Sequence, residues 1–123
     1  MASVIISKPS RPQPIYGFDN ITNGDEVTEL VKYIRKNLGP QSMNKVMIYI
    51  LSGTHGDTQG NLVGEDDFYQ EDKLVELQTV KAVRANEKTP TNTWANYFGK
   101  TNSILILAWC YSNRWSGLTT YNK

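Results

Sequence analysis

The segment Lys45-Val-Met-Ile-Tyr-Ile-Leu-Ser52 decides the predicted fold. Its apolar residues form a continuous run and do not alternate with polar residues, which is typical of a strand covered on both faces. A second run of this kind, Ser103-Ile-Leu-Ile-Leu-Ala108, lies towards the other end of the sequence. Because such strands belong to parallel sheets with helices on both sides, the two runs predict an α/β fold with a small, mainly parallel sheet.

The clearest helix signal precedes the first of these strands. Apolar residues recur there at helical spacing, namely Val27, Leu30, Val31, Ile34 and Leu38. Thr22, Asn23 or Asp25 is expected to cap the start of the helix. Gly39-Pro40 is a standard stop signal, so the sequence predicts a helix over 27–38.

The other segments complete a β-α-β-hairpin-α-α-β order. Residues 3–7 indicate a first strand, and the prolines after it are expected to prevent regular structure up to residue 23. The remaining expected elements are a hairpin over 58–64 with Gly60-Asn61 at its turn, a helix over 72–86 and a short helix over 93–98. The length of 123 residues fits one domain spanning 1–123.

Composition excludes several classes of site and partner. With 13 Lys and Arg against 12 Asp and Glu, the net charge is +1, so no nucleic-acid partner is expected. No apolar run approaches the roughly 18 residues that span a bilayer, and no signal peptide is visible, so we expect no membrane partner and a cytoplasmic location. One cysteine and one histidine exclude disulfides, Cys-rich zinc sites and multi-histidine metal sites, and we expect no cofactor.

The single histidine and the single cysteine occupy equivalent places in this pattern. His55 lies in the polar segment Gly53-Thr54-His55-Gly56-Asp57 directly after one buried strand, and Cys110 follows the other. Parallel sheets bind ligands beyond the carboxyl ends of their strands, and neighbouring strands lie about 4.8 Å apart. We therefore predict that Cys110 is a nucleophile and His55 its acid/base, with the N–H groups of Gly56 and Cys110 as oxyanion donors.

These residues resemble a known family. The apolar strand with Ser52-Gly53-Thr54-His55-Gly56-Asp57, followed by Gly60 and Gly64, is similar to the first half of the caspase-like pattern. The run Ile104-Leu-Ile-Leu-Ala-Trp-Cys110 is similar to the second half, in which a strand delivers the nucleophile. The resemblance to the caspase–hemoglobinase group implies a cysteine peptidase acting on a peptide or protein substrate, with His55, Gly56 and Cys110 in the roles given above.

The sequence departs from that family around the nucleophile. Ala108 stands where caspases have the Gln that helps bind a substrate aspartate, so the resemblance does not imply aspartate specificity. Trp109 stands where metacaspases often have Asp, which removes the argument for basic substrates. Caspase-like peptidases normally have further strands after the nucleophile. The interpretations therefore include a minimal version, a fragment, a subunit that needs a partner and a degenerate relative.

Two alternatives lie outside caspase-like catalysis. Another thiol enzyme, such as a glutamine deamidase or an acyl-transferring toxin, would also use Cys and His and would need a third group to orient His55. Asp57, Asn61 and Asn113 are the candidates for that group. A non-catalytic module could instead pair with another copy or a partner subunit through an open sheet edge, with Cys110 as a buried structural thiol.

Two further segments have competing interpretations. Residues 65–72 include five acidic residues, which indicates a solvated loop and the start of a helix. The alternative is a calcium site formed by these carboxylates with Asp57 or Asn61. Aromatic residues crowd the C-terminal third, and these are Trp94, Tyr97, Phe98, Trp109, Tyr111, Trp115 and Tyr121. Core packing is the expected explanation for them, and a partner or substrate surface is the alternative.

Overall fold

The computed structural model describes residues 3–6, 13–21, 24–42, 45–68, 77–100 and 102–120. Its strands are β1 (Ser3–Ile5), β2 (Ile15–Phe18), β3 (Met47–Ser52), β4 (His55–Gly56), β5 (Leu62–Val63), β6 (Val80–Arg84) and β7 (Ser103–Leu107). Five of them form one sheet in the order β1-β2-β7-β3-β6, in which only β1 is antiparallel to its neighbour. This arrangement confirms the predicted α/β class with a mainly parallel sheet.

Helices cover both faces of the sheet. The helices are α1 (Asp25–Ser42), α2 (Thr91–Phe98) and the short α3 (Gly117–Thr120). Side chains alternate between the two faces of a strand. Accordingly, Ile104 and Ile106 of β7 pack in the core on the α1 side, while Leu105 and Leu107 pack with Trp94 of α2 on the other side. Burial on both faces is why β3 and β7 are continuously apolar in sequence.

Helix α1 follows its sequence signals closely. Its buried side chains include Val27, Leu30, Val31 and Ile34, as the spacing predicts. The helical geometry is interrupted at Gly39, whose φ of 76° and ψ of 165° confirm the expected stop before Pro40. No helix within the described ranges is both long enough and apolar enough to cross a membrane.

Two strands of the sheet differ from the sequence prediction. Residues 80–84 form strand β6, which pairs in parallel with β3 from Val80 opposite Ile48, whereas a helix over 72–86 was expected. The spacing of Leu77, Val80 and Val83 fits a helix as well as a strand, and pairing with β3 selects the strand. Residues 72–76 of that expected helix lie outside the described residues. Strand β2 forms where none was expected, because pairing with β7 outweighs the upstream prolines.

Most aromatic residues of the C-terminal third are buried in the hydrophobic core. Trp94 lies with its ring centroid 6.0 Å from that of Trp109 and 4.7 Å from that of Trp115, and all three are at least nine-tenths buried. The same cluster includes Phe98, and Tyr97 packs against it. Core packing is therefore confirmed for these residues, and Tyr121 lies outside the described residues. After β7 the chain forms a 3-10 helix (Ser112–Arg114) and α3, neither of which was predicted.

Candidate active site

An open cavity of about 300 Å³ lies at the carboxyl ends of β3 and β7. These strands are neighbours, with Leu51 opposite Leu107, so the segments that follow them meet at one edge of the sheet. His55 and Cys110 both line this cavity, as do residues 66–68. The cavity therefore contains the two side chains that the sequence singles out, together with an acidic segment.

Cys110 is held on a tight turn that begins where β7 ends. The Trp109 N–H donates to the carbonyl of Leu107 at 3.1 Å, which starts the turn. Tyr111 then adopts the left-handed conformation with φ 58° and ψ 23°, which is uncommon for a residue with a side chain and redirects the backbone directly after the cysteine. The partly buried thiol donates to the carbonyl oxygen of Ile21 at 3.3 Å.

His55 has a carboxylate partner in Asp66. Its Nδ1 lies 3.2 Å from Asp66 Oδ2, and the two side chains are 63% and 43% exposed. Asp66 is itself held by the backbone, because its N–H donates to the carbonyl of Gly53 at 3.0 Å and its Oδ1 accepts the Asp67 N–H at 2.7 Å. A carboxylate at Nδ1 favours the tautomer with its proton there, which leaves Nε2 for proton exchange with a reacting group.

Gly56 lies directly against the backbone of the nucleophile segment. A side-chain Cβ at this position would overlap the carbonyl oxygen of Cys110 and lie 2.9 Å from Cδ1 of Trp109. In the hairpin formed by β4 and β5, the Asp57 N–H donates to the Asn61 carbonyl at 3.1 Å. Because hydrogen-bonded and non-hydrogen-bonded pairs alternate, the Gly56–Leu62 pair is non-hydrogen-bonded and the Gly56 N–H points away from β5.

Two backbone features favour negative charge in the cavity. The N–H of Cys110 has no acceptor in the part of the chain that the structure describes. Gly24 and Val27, at the start of α1, also line the cavity, so the positive end of the helix dipole faces it. An oxyanion that forms beside Cys110 would be stabilised by both features.

The candidates predicted to orient the histidine either have other roles or lie away from the cavity. Asp57 accepts N–H groups from Gln59 at 2.9 Å and Asn61 at 3.0 Å, which closes the hairpin turn. Its other oxygen accepts the Asn61 side chain at 3.3 Å. Asn113 does not line the cavity, and its buried Oδ1 makes no hydrogen bond within the described residues. Within those residues, His, Cys, Asp and Glu side chains form no group of three that could hold a metal ion.

The sequence does not single out Asp66, because this residue lies in an acidic run that is typical of a solvated loop. One signal could have found it. The hairpin, expected over 58–64 and found over 55–63, returns the chain to the end of β3, which brings residue 66 back beside residues 53–55. The Thr54 hydroxyl, which contacts the carbonyl oxygen of Gly64 at 3.3 Å, lies at this return point.

The turn of the hairpin should depend on pH through Asp57. Hydrogen bonds from the N–H groups of Asn61, Gln59 and Gly60, with that of Asn61 the largest contribution, hold the Asp57 pKa below its usual 3.8. Since the folded pKa is the lower one, this stabilisation is complete above pH 3.8 and is lost as the pH falls through the folded value. We expect Asp57→Asn to increase amide exchange over 55–63 at pH 6. The difference from wild type should shrink as the pH falls below 3.8 and through the folded value, and a pH-independent difference would contradict this explanation.

Comparison with known proteins identifies a family. A family model for Tox-HDC, described as "Toxin with a H, D/N and C signature", matches residues 12–123. No curated protein and no solved structure matches the chain. The expectation of a caspase-like peptidase is therefore wrong. A His or Cys after a buried strand is the general placement of sites in parallel sheets and does not distinguish caspases from other families. The match favours the alternative of another Cys-His enzyme.

Proposed function

The chain belongs to the Tox-HDC family of toxins, and from this premise we propose that it is a thiol enzyme acting by acyl transfer. Cys110 is the nucleophile, His55 the acid/base and Asp66 the D/N residue of the signature. The sequence has one histidine and one cysteine, so no other residue can supply those two letters. The observation that carries the proposal is the shared cavity, in which His55 has its carboxylate partner at 3.2 Å.

The proposed reaction begins with proton transfer from the Cys110 thiol to Nε2 of His55. The sulfur attacks the carbonyl carbon of an amide, and the oxyanion formed accepts hydrogen bonds from the N–H groups of Cys110 and Gly56. His55 then returns the proton to the departing nitrogen, the C–N bond breaks, and a thioester remains on Cys110. Water, deprotonated by His55, releases the acid and restores the thiol.

The contact between Cys110 and Ile21 describes the resting thiol. Only a protonated sulfur can donate to the carbonyl of Ile21, so this 3.3 Å contact belongs to the state before proton transfer. On ionisation the sulfur must turn away from that oxygen. The start of α1 lines the cavity into which the sulfur would turn.

The substrate class that we propose is a side-chain carboxamide of a target protein, such as glutamine. A cavity of about 300 Å³ is at the small end of ligand pockets and holds a single side chain more readily than an extended peptide. The proposed reaction is then deamidation, or transamidation if an amine replaces water at the thioester.

Alkylation of Cys110 tests the proposed pair directly. Because the chain has one cysteine, the intact mass after iodoacetamide treatment reports this thiol alone. At pH 7 we expect His55→Ala to slow alkylation about tenfold, since the proton acceptor is lost. Asp66→Ala should slow it about threefold, whereas Asp66→Asn should stay near wild type, because an amide oxygen can also accept the Nδ1 proton.

Asp67→Asn is the matched control for this experiment. Asp67 lines the same cavity beside Asp66, and its substitution removes the same charge without removing the partner of His55. The alkylation rate should therefore be unchanged. If His55→Ala reacts as fast as wild type, the proposed pair is absent and the chain is not a thiol enzyme of this kind.

A further inference from the structure

We propose that Trp109 and Arg114 are positioning residues that anchor the His55 hairpin (residues 55–63) to the Cys110 turn (residues 109–112). The inference rests on the proposed function of the His55–Cys110 pair and extends it to residues outside the signature. The hairpin is small. Each strand has two residues, and among the strands that the structure describes β4 pairs with β5 alone, apart from the five-stranded sheet. Isolated two-stranded hairpins are marginally stable, so contacts with the rest of the molecule must fix its position.

Trp109 supplies the buried anchor. Its indole N–H donates to the carbonyl of Gly60 at 2.8 Å, and the side chain is 1% exposed. The ring is held between those of Trp94 at 6.0 Å and Trp115 at 5.5 Å, so the donor has little freedom. Trp109 also directly precedes Cys110. One rigid residue therefore joins the nucleophile segment to the turn of the hairpin that carries His55.

The turn of the hairpin is shaped to lie on the segment that follows Cys110. Gly60 has a φ of 81°, and a Cβ there would overlap the carbonyl oxygen of Tyr111 and lie 2.7 Å from the N of Trp115. Only glycine combines this backbone conformation with such a close approach. Gly56 lies in the same way against the carbonyl of Cys110. Both ends of the hairpin therefore contact the backbone of the segment that contains Cys110.

Arg114 supplies the exposed anchor. Its Nη1 donates to the carbonyl of Thr58 at 2.9 Å, while its Nη2 donates to Asp19 Oδ1 at 3.3 Å. The guanidinium also stacks on the ring of Tyr111, with Cζ 4.7 Å from the ring centroid. One side chain thus connects the hairpin, the end of β2 and the residue after Cys110. A planar fork with several donors suits this role better than a lysine ammonium would.

These contacts matter because proton transfer depends on the position of His55. A displacement of about 1 Å in a reacting group can cost about a hundredfold in rate. The His55 side chain is largely exposed, and its described partner, Asp66, is exposed too. The anchors on Trp109 and Arg114 therefore set the distance between the imidazole and the thiol through the backbone of the hairpin.

The test compares Trp109→Phe with Trp94→Phe and adds Arg114→Gln. The two Trp→Phe changes remove the same atoms from the same aromatic cluster, but only Trp109 donates to the hairpin. Arg114 is exposed, so its substitution keeps the experiment decisive if Trp109→Phe fails to fold. Two readouts are needed, namely amide exchange over residues 55–63 and the iodoacetamide rate of Cys110 from pH 5 to pH 9.

We expect Trp109→Phe and Arg114→Gln to raise exchange over 55–63 about tenfold and to flatten the pH profile of alkylation towards that of His55→Ala. Trp94→Phe should leave both readouts within twofold of wild type. The inference is overturned if amide exchange over 55–63 in both Trp109→Phe and Arg114→Gln is the same as in Trp94→Phe. It is also overturned if this exchange rises while the pH profile of Cys110 alkylation stays that of wild type. A wild-type profile that does not change in His55→Ala overturns the proposed function instead, and the exchange readout then still decides whether the anchors exist.

Discussion

Cells that express the chain with Cys110→Ala are expected to grow normally, whereas the wild-type chain is expected to arrest growth. The reason is that the proposed acyl transfer passes through a thioester on this sulfur, and no second cysteine can replace it. Loss of the nucleophile in enzymes of this type lowers turnover at least about 10³-fold. Growth curves after induction of each variant in bacterial and yeast hosts provide the measurement.

Expression level and folding must be matched in that comparison. Lys88→Gln, on an exposed turn away from the cavity, serves as the control and should arrest growth like wild type. Cys110→Ser keeps the size of the side chain and should be as harmless as Cys110→Ala, since a hydroxyl is a far weaker nucleophile at neutral pH. Growth arrest by both Cys110 variants at wild-type protein levels would show that toxicity does not need the thiol.

Gly56→Ala is expected to lower the stability of the fold substantially. The added methyl would overlap the carbonyl oxygen of Cys110, and backbone atoms cannot yield as a flexible side chain would. Overpacking of this kind costs about 2 kcal/mol, which corresponds to roughly 8 °C in Tm for a chain of this length. Relief of the overlap must also move the hairpin from the Cys110 turn, so the alkylation rate should fall about tenfold, as in His55→Ala.

Gly64→Ala separates these two effects. Gly64 lies just after the same hairpin with a φ of 64°, so alanine there is strained, but a Cβ would meet no atom within 4 Å. We therefore expect a lower Tm with an unchanged alkylation rate for Cys110. The steric explanation is wrong if Gly56→Ala melts at the wild-type temperature, or if both variants slow alkylation equally.

The central layer of the fold was predictable from sequence, and the remaining strands were not. Strands β3 and β7 are apolar throughout because helices cover both of their faces, and that pattern is visible without coordinates. Strand β6 has apolar residues at a spacing that also fits a helix, and β2 is a four-residue strand that contains a glycine. Pairing with β3 and β7 determines both, and such pairing depends on residues distant in the sequence.

The candidate site was predictable to the same extent. The sequence predicts that His55 and Cys110 lie at one edge of the sheet if the strands before them are neighbours. Strands β3 and β7 are neighbours in the structure. Asp66 could not be separated from its acidic neighbours, because its role depends on the path of the hairpin. The roles of Trp109 and Arg114 also depend on the path of the hairpin. From sequence alone, Trp109 is typical of a core aromatic residue and Arg114 of a surface charge.

The central position of β7 has a consequence for the timing of activity during biosynthesis. Its partners β2 and β3 are synthesised long before it. Ile15 of β2, for example, pairs with Leu105, which is added 90 residues later. Until β7 leaves the ribosome, the sheet lacks its middle strand, and the turn on which the His55 hairpin rests does not exist. Pairings so distant in sequence also fold slowly. We therefore expect the nascent chain to be harmless until β7 has emerged, because this strand completes the described sheet and delivers the nucleophile in a single step.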